Sequence, residues 1–344
     1  TTGQLSASAG KASVEWIELG ANLLLENKAQ AIVTGPINKK AVQMAGITRI
    51  GHMEILQQIA KVQNVATMLI AGTLFVVHLS THVALRDAHL AVTFRNIHCD
   101  NTGLYGIYPV ECVGVLVEHC SVTGISDAGI YVGQSKDIVV RNNVAYGNVT
   151  GIEIENSVNV LVENNEVYDN AGGILVFLLP NNPSKVSSNC KIVNNYVYKN
   201  NHVNFGEPGS IVSNVPQGTG LMVMAGDSVE VTGNRFHDNQ SFGVAVIGLD
   251  LFFGEDNVYD VDPIPDACWV HDNDYQNNGY EPAKIVVESG LDGADLLWDV
   301  TGYSNNWHEK NVSSIPPTLP DKNWSWIGRK TNYRIWRLLF NIFG

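Results

Sequence analysis

Three groups of residues in this chain have the types and spacing for chemistry. The first is a pair of histidines at element ends. His52 opens a helix in Gly51-His52-Met53-Glu54, where free N–H groups and the dipole favour an anionic ligand such as a phosphate ester. His82 closes a strand in Ser80-Thr81-His82, a sheet-edge position where an imidazole can bind a divalent metal. The second group is Glu153 and Glu155 in GIEIEN. They alternate with Ile152 and Ile154, so both carboxylates point outward from one strand face. A carboxylate pair is the usual requirement for glycoside hydrolysis. With no Arg, Lys or Tyr cluster beside them in sequence, exposed and separately solvated carboxylates are the plainer expectation. The third group is an acidic loop with Asp250, Glu255, Asp256, Asp260, Asp262 and Asp266. It has enough oxygen for a calcium ion but lacks regular D-x-D-x-D spacing. Phe252, Phe253 and Tyr259 beside it have the character to stack on sugar rings, or equally to pin the loop to the body of the protein.

The elements that must position these residues change in kind near residue 88. Before it, Gly10 to Glu26 has helical spacing, and Ala31 to Thr34 reads as a buried strand ended by Gly35-Pro36. Asn38 can cap a helix that runs through Ala45 and stops at Gly46. A helix from His52 to Ala60 and strands at Met68 to Ile70 and Leu74 to Leu79 complete an α/β pattern.

After residue 88 a repeat of 22–24 residues takes over. Its turn column comprises Asn96, Cys120, Asn143, Asn165, Asn195, Asn234 and Asn273, and a second column of Gly-Ile phrases follows at residues 129, 151, 173, 220 and 243. This is the pattern of a β solenoid, in which each coil buries Val, Ile and Leu and stacks on its neighbours at about 4.8 Å. Seven such coils are expected, with the asparagines as an architectural ladder whose amides donate to one coil and accept from another. Insertions at 177–189, 201–218 and 249–267 lengthen three coils, and such loops often gather on one face as a binding surface.

Composition narrows the partners. Residues 1–88 carry seven Lys/Arg against five Asp/Glu, residues 89–328 ten against twenty-nine, and the last sixteen residues four against none. An acidic repeat argues against nucleic acid and is compatible with neutral glycans or bound cations. The five cysteines contain no CxxC pair and give neither a zinc site nor a disulfide framework. No apolar run is long enough for a transmembrane helix. The chain begins Thr1-Thr2 without a charged-then-apolar leader, so no signal peptide is expected in it and an internal fragment or processed product is. Residues 311–328 should wrap the last coil. In the basic stretch after it, Ile335, Leu338, Leu339 and Ile342 fit one helical face; an end cap is the main expectation and a membrane-surface helix the alternative.

The wording of residues 5–88 (VTGPINKKAV-x-x-AGI, GHMEIL, L-x-x-x-x-STHVALRD) resembles the 4-hydroxythreonine-4-phosphate dehydrogenase family (PdxA), NAD-dependent α/β/α enzymes of vitamin B6 synthesis. The resemblance implies that His52 contacts substrate, that His82 is one of three histidine ligands to a divalent metal, and that Gly35, Pro36, Asn38 and Lys39 match a T-x-P-x-x-K loop. Met53 stands where the family has threonine. The nucleotide-binding and remaining metal-ligand regions would follow residue 88, where repeats stand instead, so any such activity is expected to be impaired. Residues 89–310 resemble right-handed parallel β-helix proteins, which include polysaccharide lyases, epimerases and NosD-like proteins. The fold expected is mainly β, a right-handed parallel β-helix preceded by a truncated α/β segment and followed by a C-terminal wrap at 311–344. The function expected is a carbohydrate-facing binding or processing module, with dehydrogenase activity as the alternative. A purely structural role, with the α/β piece capping the solenoid, is a third. The β-helix half implies a periplasmic or extracellular site and the dehydrogenase-like half a cytoplasmic one, a conflict that also raises an artificial joining of two reading frames.

Overall fold

The computed structural model describes residues 4–49, 51–62, 65, 68–71, 74–77, 92–254 and 257–343. The chain divides between Ala88 and His89 into two compact units.

In the first unit, α1 (Ala7–Leu25), α2 (Lys39–Met44) and α3 (His52–Ala60) pack around Val14, Ile17, Val42 and Ile55. The sequence signals for α2 hold: Asn38 Oδ1 accepts from Ala41 N at 3.1 Å, and Gly46 has φ +75° just past the end. Gly10 lets α1 approach α2, since a Cβ there would sit 2.1 Å from Ala41 O. The strand expected at Ala31 to Thr34 does not form; this stretch is irregular and Val33 is 98% exposed. A strand needs a neighbour to satisfy its backbone, and none pairs with it among the described residues. Met68–Ala71 and Leu74–Val77 pair with each other as an antiparallel hairpin.

The second unit is a parallel β-helix of three sheets. The first sheet has eight strands, from Thr93–Arg95 to Asn306–His308; the second has seven, from His98–Asp100 to Asp274–Gln276; the third has eight, from Tyr105–Ile107 to Ser314–Ile315. Every pairing within them is parallel; each of the first seven coils contributes one strand to each sheet, and the last contributes to the first and third alone. The array is one coil longer than the seven asparagine positions suggest. Inward residues such as Val117, Val122, Ile130, Val140, Ile152, Val162, Val167 and Ile174 form one continuous core.

The asparagine ladder is real but starts later than the sequence spacing placed it. Asn143 Nδ2 donates to Asn165 Oδ1 at 3.0 Å, and Asn165 to Asn195, Asn195 to Asn234 and Asn234 to Asn273 each at 2.9 Å. Asn273 ends the series by donating to Glu309 at 2.7 Å. Asn96 is not a rung. Its φ of +56° and its N–H bond to Glu118 O align it with His119 and Asn142, the left-handed turn residues one place earlier. Ile97 holds the rung position, and Ser121 N donates to its carbonyl as Val144 N does to that of Cys120.

A second ladder, Asn148, Asn170, Asn200, Asn239 and Asn278, runs beside the first and ends on Asp295. It explains the Gly-Ile column: a Cβ on Gly151 would lie 2.8 Å from Gly173 O and 3.0 Å from Asn170 Nδ2. Cys120, in the first ladder, donates its thiol to Glu118 O at 3.3 Å, and a thiol is a poor acceptor where the ladder has an amide oxygen. Cys120→Asn should therefore extend the ladder and stabilise the unit by about 1 kcal/mol. Urea unfolding measures this, and a loss of stability would show that the slot is too tight for an amide.

Candidate functional site

On the third sheet, residues that alternate with the core face outward. The outward residue after each Gly-Ile (or Gly-Leu, Gly-Val) pair reads Tyr131, Glu153, Leu175, Met222 and Ala245 along successive coils, and these residues are in register. The apolar end of this face is covered by the insertions. Leu178, Leu179, Val212, Val215 and α4 (Leu249–Phe253) pack on it, joined by α5 (Lys284–Glu288) through Val286. Phe252, Phe253 and Tyr259 belong to this packing, so they pin the third loop to the coil. Asp260 accepts from Asn181 N at 3.0 Å and pairs with Lys185, which ties that loop to the first insertion.

The polar end of the same face is a carboxylate cluster. Glu153 is 2% exposed and Glu155 8% exposed, which corrects the expectation of two solvated groups. Residues distant in sequence cover them. Tyr105, Tyr108 and Tyr131 stack with ring centroids 4.2 Å (105–108) and 4.8 Å (108–131) apart. Gly133 is the register partner of Glu155, and a Cβ there would meet the Tyr131 ring at 2.5 Å. The first insertion supplies Asn182, held in place because Asn156 bonds Leu179 N and O and the Ser184 carbonyl.

Donors divide unequally within the pair. Glu155 Oε1 accepts from Asn182 Nδ2 at 2.6 Å and Gln134 Nε2 at 3.0 Å, and Tyr131 also bonds this carboxyl. Glu153 has Thr150 Oγ1 at 3.5 Å, but that hydroxyl is 2.7 Å from the Asp127 carbonyl, the better acceptor. Burial, and then the nearby charges of Glu155 and Asp127, drive the Glu153 carboxyl well above the ordinary range. Burial also raises Glu155, against the pull of its donors. The two carboxyls thus differ in setting: Glu155 is held by donors from Asn182, Gln134 and Tyr131, while Glu153 is buried beside two other carboxyls.

Asp127 is the half-buried carboxyl nearest solvent in this cluster. Burial lifts it, a hydrogen bond from Tyr105 lowers it and the Glu155 charge raises it, so that it sits at about 6. That value suits proton transfer near neutrality. Tyr108, half exposed, forms the outer wall. Sequence reading found the two glutamates but missed Asp127, Tyr105, Tyr108, Tyr131, Gln134 and Asn182. The change from polar to apolar along the outward column was the signal available.

The other expected residues do not converge. His52 begins α3 and its Nε2 lies 3.1 Å from Gly35 O, while His82 is outside the described residues. Glu255 and Asp256 are also outside them. Among the described residues, no group of three His, Cys, Asp or Glu side chains could hold a metal ion. The residues described do not supply the ligand set that the first resemblance implies, nor the calcium cage considered for the acidic loop. Cys190 and Cys268 are fully buried and pushed up to about 12 by that burial, which suits packing and not thiolate chemistry.

Comparison with known proteins gives each unit its own kinship. Residues 1–102 match the family model of the pyridoxal phosphate biosynthetic protein PdxA, and residues 82–251 match that of the right handed beta helix region. The D-threonate 4-phosphate dehydrogenase of Bordetella bronchiseptica is 31% identical over 155 residues, covering 37% of this chain and 44% of the relative. The enzyme of that name from Cupriavidus necator is 41% identical over 86 residues, 25% and 26% of the two chains. This chain thus spans less than half the length of these curated relatives. Among solved structures, the periplasmic alginate epimerase AlgG has 18% identity and a TM-score of 0.46, over 64% of this chain and 45% of its own. The mannuronan C-5 epimerase AlgE4 A-module of Azotobacter vinelandii has 18% identity and a TM-score of 0.46, over 68% and 56%.

Proposed function

We propose that the β-helix unit is a glycan-processing module that works by general acid–base chemistry at Asp127, with Glu153 and Glu155 behind it. The observation that carries this is the grouping of three carboxyls, two of them buried, beside stacked tyrosines on one sheet face. Tyrosine faces suit the apolar faces of pyranose rings; a carboxyl near pH 6 can protonate a departing glycosidic oxygen and then, as the carboxylate, take the proton of the water that adds to the anomeric carbon. Among the described residues no Lys or Arg bonds the cluster, so a neutral glycan fits it better than a polyanion. Asp127 is the catalytic residue of this reading; Glu155 is a positioning residue whose charge raises the proton affinity of Asp127, and Glu153 lies buried beside both.

The test is a screen of neutral oligosaccharides for binding and cleavage, followed by variants. Asp127→Asn should lower kcat at least 100-fold while leaving KM within a few fold. Glu155→Gln removes a charge that raises Asp127, so the basic limb of the pH profile should move to lower pH. Activity unchanged in Asp127→Asn would remove the proposal.

The match of residues 1–102 favours a second reading, an NAD- and metal-dependent oxidation of a phosphorylated hydroxy acid with His52 at the substrate. Among the described residues no cluster could hold the metal ion, and His82 lies outside them, so His52 is the described residue on which this reading can be tested. Phosphorylated-substrate-dependent NADH formation that His52→Ala abolishes would support it.

A further inference from the structure

The last helix, α6 (Trp326–Phe343), has two apolar faces, and only one of them is used. Tyr333, Trp336 and Phe340 pack against the β-helix core, with Tyr333 5.9 Å from the Trp298 ring, and Trp336 Nε1 donates to Thr318 Oγ1 at 2.8 Å. At 100° per residue this docked face centres opposite Ile327, Thr331, Ile335 and Leu338. Those apolar side chains are turned to solvent: Ile327 is 69% exposed, Ile335 51% and Leu338 59%. Ile335 and Leu338, two of the residues that sequence periodicity places on one apolar face, are thus left uncovered.

Beside that stripe lies a row of Trp326, Lys330, Arg334 and Arg337, and Trp326 is 65% exposed. With Arg329 the helix carries four cations and no acidic residue, on a chain whose net charge is −13. Lys330, Arg334 and Arg337 also border a cavity of about 500 Å³ between α6 and the last coil. No helix among the described residues is long and apolar enough to cross a membrane.

We propose that α6 is a membrane-docking element that lays its outer face on an anionic lipid surface. An apolar stripe flanked by Lys and Arg, with Trp at one end, is the arrangement that rests in the interface plane of a bilayer. Phosphate headgroups complement the cation row, and the exposed isoleucines and leucine enter the acyl boundary. Because the opposite face is docked to the coil, the helix does not have to leave the protein to bind.

The test is flotation of the full chain with vesicles of phosphatidylcholine alone or with about a third phosphatidylglycerol. The expected result is binding to the anionic vesicles only, weakened by salt. Each juxtamembrane cation contributes about fivefold in partitioning, so Arg334→Gln should weaken binding by that factor and Arg334→Glu by more. Ile335→Ser with Leu338→Ser should weaken it more than tenfold. These side chains are exposed, so an unchanged melting midpoint serves as the folding control. Absence of flotation, or flotation indifferent to these variants, overturns the proposal. Self-association abolished by the same variants, without vesicle binding, also overturns it by making a second copy the occupant.

Discussion

Replacing Asn195 with alanine should destabilise the β-helix unit by about 3–5 kcal/mol, a large effect for one neutral side chain. Asn195 is 1% exposed, and its amide is used at every position. Its oxygen accepts from both Asn165 N and Asn165 Nδ2 at 2.9 Å. Its nitrogen donates to Asn234 Oδ1 and Val162 O at 2.9 Å and to Val193 O at 3.1 Å. Alanine keeps the backbone donor to Asn234 but leaves Asn165 N and Val162 O without these partners in a site closed to water. Each stranded buried group costs about 1–3 kcal/mol, and the vacated volume adds to that. Denaturant unfolding gives the number, and a loss below about 1 kcal/mol would show that water replaces the rung. Asn195→Asp separates the roles of the two amide atoms. It keeps the acceptor but sets a carboxylate against three oxygens, so it should be at least as damaging at pH 7 and recover in acid, where the group can donate again.

The melting midpoint of the unit should fall by roughly 5–10 °C as pH rises from about 4.5 to 7.5. Asp127, at about 6, and Glu309, at about 7, both lie above their unfolded values, and Glu153 and Glu155 are raised as well. A raised carboxyl is held protonated in the fold and released more easily in the unfolded chain. Stability from it is therefore full below the unfolded pKa and is lost as pH climbs through the folded one. A tenfold difference in proton affinity between the two states corresponds to about 1.4 kcal/mol, and after allowance for solvent screening the groups together are worth on the order of 3 kcal/mol. For a unit of this size that is several degrees of melting temperature. Glu118 and Glu230 are lowered by their cationic partners, so their contribution is lost at the acid end, outside this window. Combining Asp127→Asn, Glu153→Gln and Glu309→Gln should flatten the profile. A midpoint that rises across the window would contradict the protonated cluster.

The repeat could be read from sequence because the coil period, the inward Val and Ile and the turn asparagines all follow from local geometry that recurs. The same locality explains the errors. Asn96 and the ladder rungs differ by one residue, and only the backbone conformation separates a left-handed turn asparagine from an inward one. Glu153 and Glu155 point outward as alternation requires, but their burial comes from Tyr105, Tyr131 and Asn182, contributed by neighbouring coils and an insertion. No window along the chain contains that information. Ala31 to Thr34 failed for the opposite reason: a strand-like phrase was judged without the neighbour a strand requires. The histidine readings came from their places at element ends and from resemblance, and the geometry of His52 alone, bonded to a backbone carbonyl, does not distinguish a binding residue from a structural one.

The measurement that bears most directly on acid–base chemistry at this face is a carbon-13 NMR titration of the glutamate and aspartate side-chain carboxyls from pH 3 to 9. Glu153 is identified by its loss in Glu153→Gln. The expected result is that Glu153 titrates well above the ordinary carboxylate range, that Asp127 titrates near 6, and that Glu155→Gln shifts both downward. Glu153 and Glu155 both titrating in the ordinary carboxylate range would mean that burial does not raise them, and the cluster would lose its claim to be the working site.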